Sequence, residues 1–162
     1  MSGFTEHQAS NAGEDTDRQA VVLNLGGARR MLPLLRRIVG DVQAQQHTID
    51  KLIPEQDRLD RHRRDLVWPE RQRRYQIHEE LAAAENHLKD ALAELEVLGV
   101  VLTDAHLGLV GLPTVVNGRL AYFSWQPDES SILHWHFPGE KVRRQIPTTW
   151  NEQGMVPLKA HS

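Results

Sequence analysis

The sequence predicts an α+β fold: a long antiparallel helical hairpin, coiled-coil-like, followed by a small three-stranded antiparallel β-meander. Three observations predict it. Two stretches carry apolar residues in alternating three- and four-residue steps, the pattern of a helix laid along a partner helix. After Gly99 the apolar period changes from seven to two. Asn117-Gly118 then stands between apolar runs, the strongest short signal for a hairpin turn.

Residues 1–20 are polar and acidic with no period, which predicts a disordered tail. One domain is expected over 21–147, with the hairpin over 24–98 and the meander over 100–147. Residues 148–162 are Gly-, Pro- and polar-rich and read as a poorly ordered tail.

The first helix carries its seam at Ala28, Met31, Leu35, Ile38, Val42, Gln45, Ile49, Leu52, Gln56 and Leu59. Asn24 is the expected N-cap, with Leu23 before it as half of a hydrophobic staple. Pro33 falls in the early turns, where proline is tolerated. Pro54 lies in the interior, where it removes a hydrogen bond and clashes one turn back, so a kink or break is expected near Ile53. Gln45 and Gln56 interrupt the seam, a device that fixes register at some cost in stability.

The second helix begins at Trp68-Pro69, where proline suits the first helical position, with Asp65 or Val67 just outside. Ile77, Leu81, Ala84, Leu88, Ala91, Leu95 and Leu98 make its seam, and Gly99 supplies the stop. At 1.5 Å per residue this helix spans about 45 Å. Pairing the two seams leaves Leu34, Val39, Tyr75, Leu92 and Val97 as apolar flanks. The C-terminal segment or a second copy of the chain is expected to cover them.

In the meander, Val115 to Leu120 form a type I′ hairpin around Asn117-Gly118. A strand over 120–126, a turn over 127–130 and a strand over 131–137 follow, with 100–103 available as an edge strand. Three strands need a helix packed on one face.

Composition narrows the function classes. Hydrophobic residues are 40% and charged residues 25%, ordinary for a soluble fold. The net charge of -3 argues against a globally basic nucleic-acid binder. Without cysteine there is no disulfide scaffold, Cys-ligated zinc, iron–sulfur cluster or thiol catalysis. No apolar run approaches the roughly 20 residues of a membrane span, so no membrane association is expected. The polar N-terminus makes the cytoplasm the expected location.

His134-Trp135-His136 is the sharpest local motif. In a strand both imidazoles point the same way, with Cα atoms roughly 6.5 to 7 Å apart, while Leu133, Trp135 and Phe137 point into the core. Two imidazoles so placed can share a divalent metal such as zinc, given a further ligand from Glu129, His106 or Asp128. The structural alternative is that both histidines simply hydrogen-bond to neighbours. Around the hairpin tip, Arg58, Arg61, Arg63, Arg64, Arg71, Arg73 and Arg74 surround Trp68. Guanidinium groups there suit phosphates and the indole suits a stacked base. Asp60, Asp65 and Glu70 interrupt the cluster, which favours a solvated, salt-bridged tip. Arg143-Arg144 follows the last strand and is placed to return a guanidinium over the sheet near the histidines, as a salt bridge or an anion contact.

No nucleophile–base–acid trio, P-loop, G-x-G-x-x-G or H-E-x-x-H is legible. The expected function is therefore a non-catalytic structural or interaction module that forms a homodimer through its hairpin. A metal-dependent site on the His-Trp-His strand and nucleic-acid binding through the arginine tip are the alternatives.

Leu25-Gly26-Gly27-Ala28-Arg29-Arg30-Met31-Leu32-Pro33-Leu34-Leu35 resembles the L-x-x-A-R-x-x-L-P-L-L opening of a bacterial domain of unknown function, family 2203. Glu94 to Val100, Asp104, Gly108-Leu109-Val110, Asn117-Gly118-Arg119, Tyr122, Trp125, Trp135-His136 and an Arg-Gln-Ile-Pro stretch extend the resemblance from about residue 23 to 147. Gly111 stands where that family commonly has an acid, and Ser124 where it commonly has cysteine. Pro127-Asp128-Glu129 replaces a Gly-Glu turn. The resemblance implies a helical hairpin with a small β-structure and no established activity.

Overall fold

The computed structural model describes residues 22–150. The tail expected over 1–20 and most of that over 148–162 lie outside the described residues. Three helices precede a five-stranded antiparallel sheet: α1 Leu25–Arg30, α2 Leu32–Arg61, α3 Trp68–Val97, β1 Val101–Asp104, β2 Leu109–Val116, β3 Arg119–Trp125, β4 His134–His136 and β5 Arg144–Gln145. The strands pair in chain order. No described helix is long and apolar enough to cross a membrane.

Asn24 caps α1 as expected, its side-chain oxygen accepting from the Gly27 amide at 2.6 Å. The single first helix expected from the seam is divided at Met31. Pro33 explains the division, because it has no N–H to offer the preceding turn, and it begins α2 instead. Of the kink or break expected near Ile53, the break does not occur: α2 runs through Pro54. Pro54 faces solvent, while Leu52 and Leu59 on either side are buried against Ile77, Leu81 and Ala84. Two buried leucines supply about 4 kcal/mol, against about 3 kcal/mol for an interior proline. Packing therefore holds the helix through a residue that disfavours it.

The helices α2 and α3 form the hairpin the seams predicted, with Leu35, Ile38, Val42, Ile49, Leu52 and Leu59 buried against Ile77, Leu81, Ala84, Ala91 and Leu95. At the end of α3, the Gly99 amide donates to Glu96 and the Val100 amide to Leu95, each at 3.0 Å. Gly99 has φ 73°, the left-handed residue this termination requires.

The sheet has five strands where three were expected. The edge strand β1 is the segment the sequence offered at 100–103, shifted by one residue. The strand β5 holds only two residues and depends on backbone pairing to β4, so it has no periodicity to read. Asn117 and Gly118 take φ 52° and 72°, as a type I′ turn demands. Val110, Leu112, Ala121, Phe123 and Trp125 pack against Leu25, Ala28, Leu35, Ile38, Val39 and Leu95, so one sheet face rests on the base of the hairpin. Val39, expected as an uncovered flank, is covered by this sheet. Of the C-terminal segment, Trp150 is described, and its ring centroid lies 5.2 Å from that of Trp135.

Candidate functional site

The opposite sheet face carries the polar constellation. Strand pairing sets Ser124 against His134 and Tyr122 against His136, with Trp135 beside Phe123 on the core side. His134 and His136 therefore share the outer face, as the spacing predicted, and Trp135 is buried between them. Phe137 is half-buried, but Leu133 lies before the strand and is exposed, contrary to the expected alternation. Tyr122 covers Gly111, where an added Cβ would lie 3.3 Å from the tyrosine side chain, and its ring centroid is 5.7 Å from that of His136.

Glu129 organises this face from the turn before β4. One carboxylate oxygen accepts from His134 Nδ1 at 2.8 Å, and the other accepts from the Arg143 guanidinium. Arg143 also donates to the Ser124 hydroxyl at 2.7 Å and the Ser124 carbonyl at 3.0 Å. The side chains of Glu129, Arg143 and His134 keep 10%, 23% and 26% of their surface exposed. The return of one guanidinium over the sheet was legible in the sequence, and it makes a salt bridge. Arg144 instead pairs with Glu140 at 2.7 Å, holding that carboxyl below its usual range.

Both imidazoles have a defined orientation. A carboxylate and a carbonyl oxygen can only accept, so His134 Nδ1 donates to Glu129 and His136 Nδ1 donates to the Phe137 carbonyl at 2.9 Å. With Nδ1 so engaged, Nε2 is the ring nitrogen left to coordinate. Of the further ligands expected from sequence, Glu129 does reach His134. His106 does not, because its Nε2 meets Asp50 on α2 at 2.7 Å. Asp128 is exposed at the turn. Among the described residues no three His, Asp or Glu side chains converge on a metal position.

Arg36 was not legible as part of this region. Its guanidinium reaches from α2 to the carbonyls of Pro127, Glu129 and Ser130 at 3.0 to 3.3 Å and lies 5.1 Å from the Trp125 ring centroid. Nothing local in the sequence marks an arginine 93 residues from its acceptor. Only the docking of hairpin on sheet brings them together.

At the hairpin tip the acids engage part of the arginine cluster. Arg73 grips Glu55 at 2.8 and 3.1 Å and reaches Glu80, while Arg74 meets Asp60 at 2.6 Å. These bonds hold the Glu55 and Asp60 carboxyls below their usual range. Arg71 donates to the Leu66 carbonyl and Arg61 to that of Asp57. Arg58, Arg63 and Arg64 make no ion pair among the described residues, and Trp68 is 67% exposed.

Further exposed apolar surface runs along the hairpin. Tyr75 is 66% and Val97 86% exposed. Two shallow grooves flank the last turns of α3: one of about 430 Å³ between Leu34, Ile38, Ala93 and Val97, the other of about 470 Å³ between Leu88, Leu92 and Ala93.

No curated protein and no solved structure matches the chain. A family model, described as an uncharacterized conserved protein (DUF2203), matches residues 22–146, the span that holds both the hairpin and the sheet. The chain belongs to the DUF2203 family.

Proposed function

We propose that the protein is a non-catalytic interaction module that associates with a second copy of itself through its hairpin. The observation that carries this reading is the apolar surface left exposed along α3. Trp68, Tyr75, Leu92 and Val97 are exposed there, beside two apolar grooves. The sheet covers the base of the hairpin but leaves this surface open, and an exposed apolar patch such as the one Leu92, Ala93 and Val97 form around the grooves marks an interaction site. Sedimentation velocity across micromolar concentrations is expected to show a concentration-dependent dimer. A single monomeric species throughout would refute the reading.

A second reading concerns His134 and His136 as ligands of a divalent cation. Its support is the anchoring of each Nδ1–H on a carboxylate or a backbone carbonyl, the outer-shell pattern that orients metal-binding imidazoles. Zinc titration followed by calorimetry tests it: saturable binding lost in His136→Ala supports it, and absence of uptake by the natural chain refutes it.

A further inference from the structure

We infer that α3 pairs with α3 of a second copy in antiparallel fashion, about a two-fold axis at Ala82. This deepens the self-association reading and rests on it. Three observations converge.

The first is a stripe. Trp68, Tyr75, Ala82, Lys89 and Glu96 recur every seven residues along α3, and all five are exposed. The buried seam on the other side of the helix keeps the same seven-residue period from Ile77 through Ala84 to Ala91. A stripe of equal period stays aligned with it, turned away from α2, for the whole length of the helix.

The second is symmetry about the middle. Ala82 lies seven residues from Tyr75 and from Lys89, and fourteen from Trp68 and from Glu96. The helix runs from Trp68 to Val97, so exposed Ala82 and Ala83 mark its centre. An antiparallel pair crossing there sets alanine on alanine, which permits close approach of the two backbones. The same registry sets Tyr75 on the partner's Lys89, an ammonium against an aromatic face. Trp68 falls at the partner's Glu96, which borders the groove of about 470 Å³ formed with Leu88, Leu92 and Ala93. The aromatic end of one helix thus meets the grooved end of the other.

The third is charge. On α3 itself Arg71, Arg73 and Arg74 stand among the first seven residues against Glu70, with Arg63 and Arg64 in the turn before it, whereas six carboxylates lie between 75 and 97 against one lysine. A parallel pair would set like charge on like charge along its length. An antiparallel pair sets the basic end on the acidic end twice, which selects the second copy and its direction together.

Cysteine cross-linking of the full chain tests this, because the protein has no cysteine of its own. In Ala82→Cys the two thiols meet at the axis, within the roughly 7 Å Cα separation a disulfide tolerates, and mild oxidation is expected to give a covalent dimer. In Lys89→Cys the two thiols lie about 21 Å apart along the helices, and no covalent dimer is expected. Trp68 is exposed at a helix start, and Trp68→Ser is expected to weaken dimerisation at least tenfold by sedimentation, as loss of an aromatic anchor seated in a groove does. Raising the salt from about 50 to about 500 mM is expected to weaken it as well. A dimer that cross-links through Cys introduced at Lys89 and not at Ala82 overturns the registry while leaving self-association standing. A monomer at every concentration overturns both, and makes a partner of different sequence the occupant of the stripe.

Discussion

Replacing Arg143 by methionine isolates the network on the outer sheet face. The Glu129 side chain is only 10% exposed and its carboxylate has two partners, the Arg143 guanidinium and His134 Nδ1. Methionine keeps much of the apolar stem volume and removes every donor. It leaves the Glu129 carboxylate with one partner and the buried Ser124 hydroxyl without its 2.7 Å donor. Breaking a buried pair from one side costs about 3 to 5 kcal/mol; the partial exposure of Arg143, at 23%, places the expected loss near the lower end, about 3 kcal/mol. For a chain of this size that corresponds to a fall in Tm of about 6 to 12 °C. Arg143→Met combined with Glu129→Gln removes the stranded charge, and is expected to recover about 1 to 2 kcal/mol relative to Arg143→Met alone. Urea denaturation followed by circular dichroism measures all four corners of the cycle. Arg143→Met within about 0.5 kcal/mol of the natural chain, or additive losses in the double variant, would refute the reasoning.

Gly108 has φ 69°, and a Cβ there would lie 2.6 Å from Val39 Cγ1, so Gly108→Ala is expected to cost about 2 kcal/mol or more in thermal melts. A melt unchanged by that substitution would show that the β1–β2 turn does not seat on α2 as described. The carboxyls of Glu55, Asp60 and Glu140 titrate below their unfolded values of 4.5, 3.8 and 4.5 because Arg73, Arg74 and Arg144 hydrogen-bond to them. The unfolded chain therefore binds more protons in that range, and the contribution of these pairs to stability is complete above those values and lost as the pH falls through the folded ones. Glu55→Gln with Asp60→Asn is expected to flatten the acid limb of the stability curve; an unchanged limb would contradict the pairing.

The hairpin was legible because a heptad seam is a local, repeated signal. Residues such as Leu35, Ile77 and Leu95 occupy the buried positions their spacing required. The type I′ turn was legible for a different reason: positive φ at Asn117 and Gly118 is a property of the backbone at those two residues. The shared face of His134 and His136 follows from the strand period alone. Pro54 shows where local rules fail, since its penalty is set against leucines packed on another helix. The two-residue β5 is too short to carry a pattern.

From its residues alone this protein determined two helices with complementary seams, the stop at Gly99 that ends the second, and a turn that must reverse the chain. These are matters of backbone preference and short-range periodicity. Only the tertiary structure decided that Arg36 would reach the carbonyls after Trp125, that Glu129 would join His134 to Arg143, and that His106 would go to Asp50 instead. Such contacts join residues up to 94 positions apart, and their partners are chosen by how hairpin and sheet dock, which no single stretch of chain encodes.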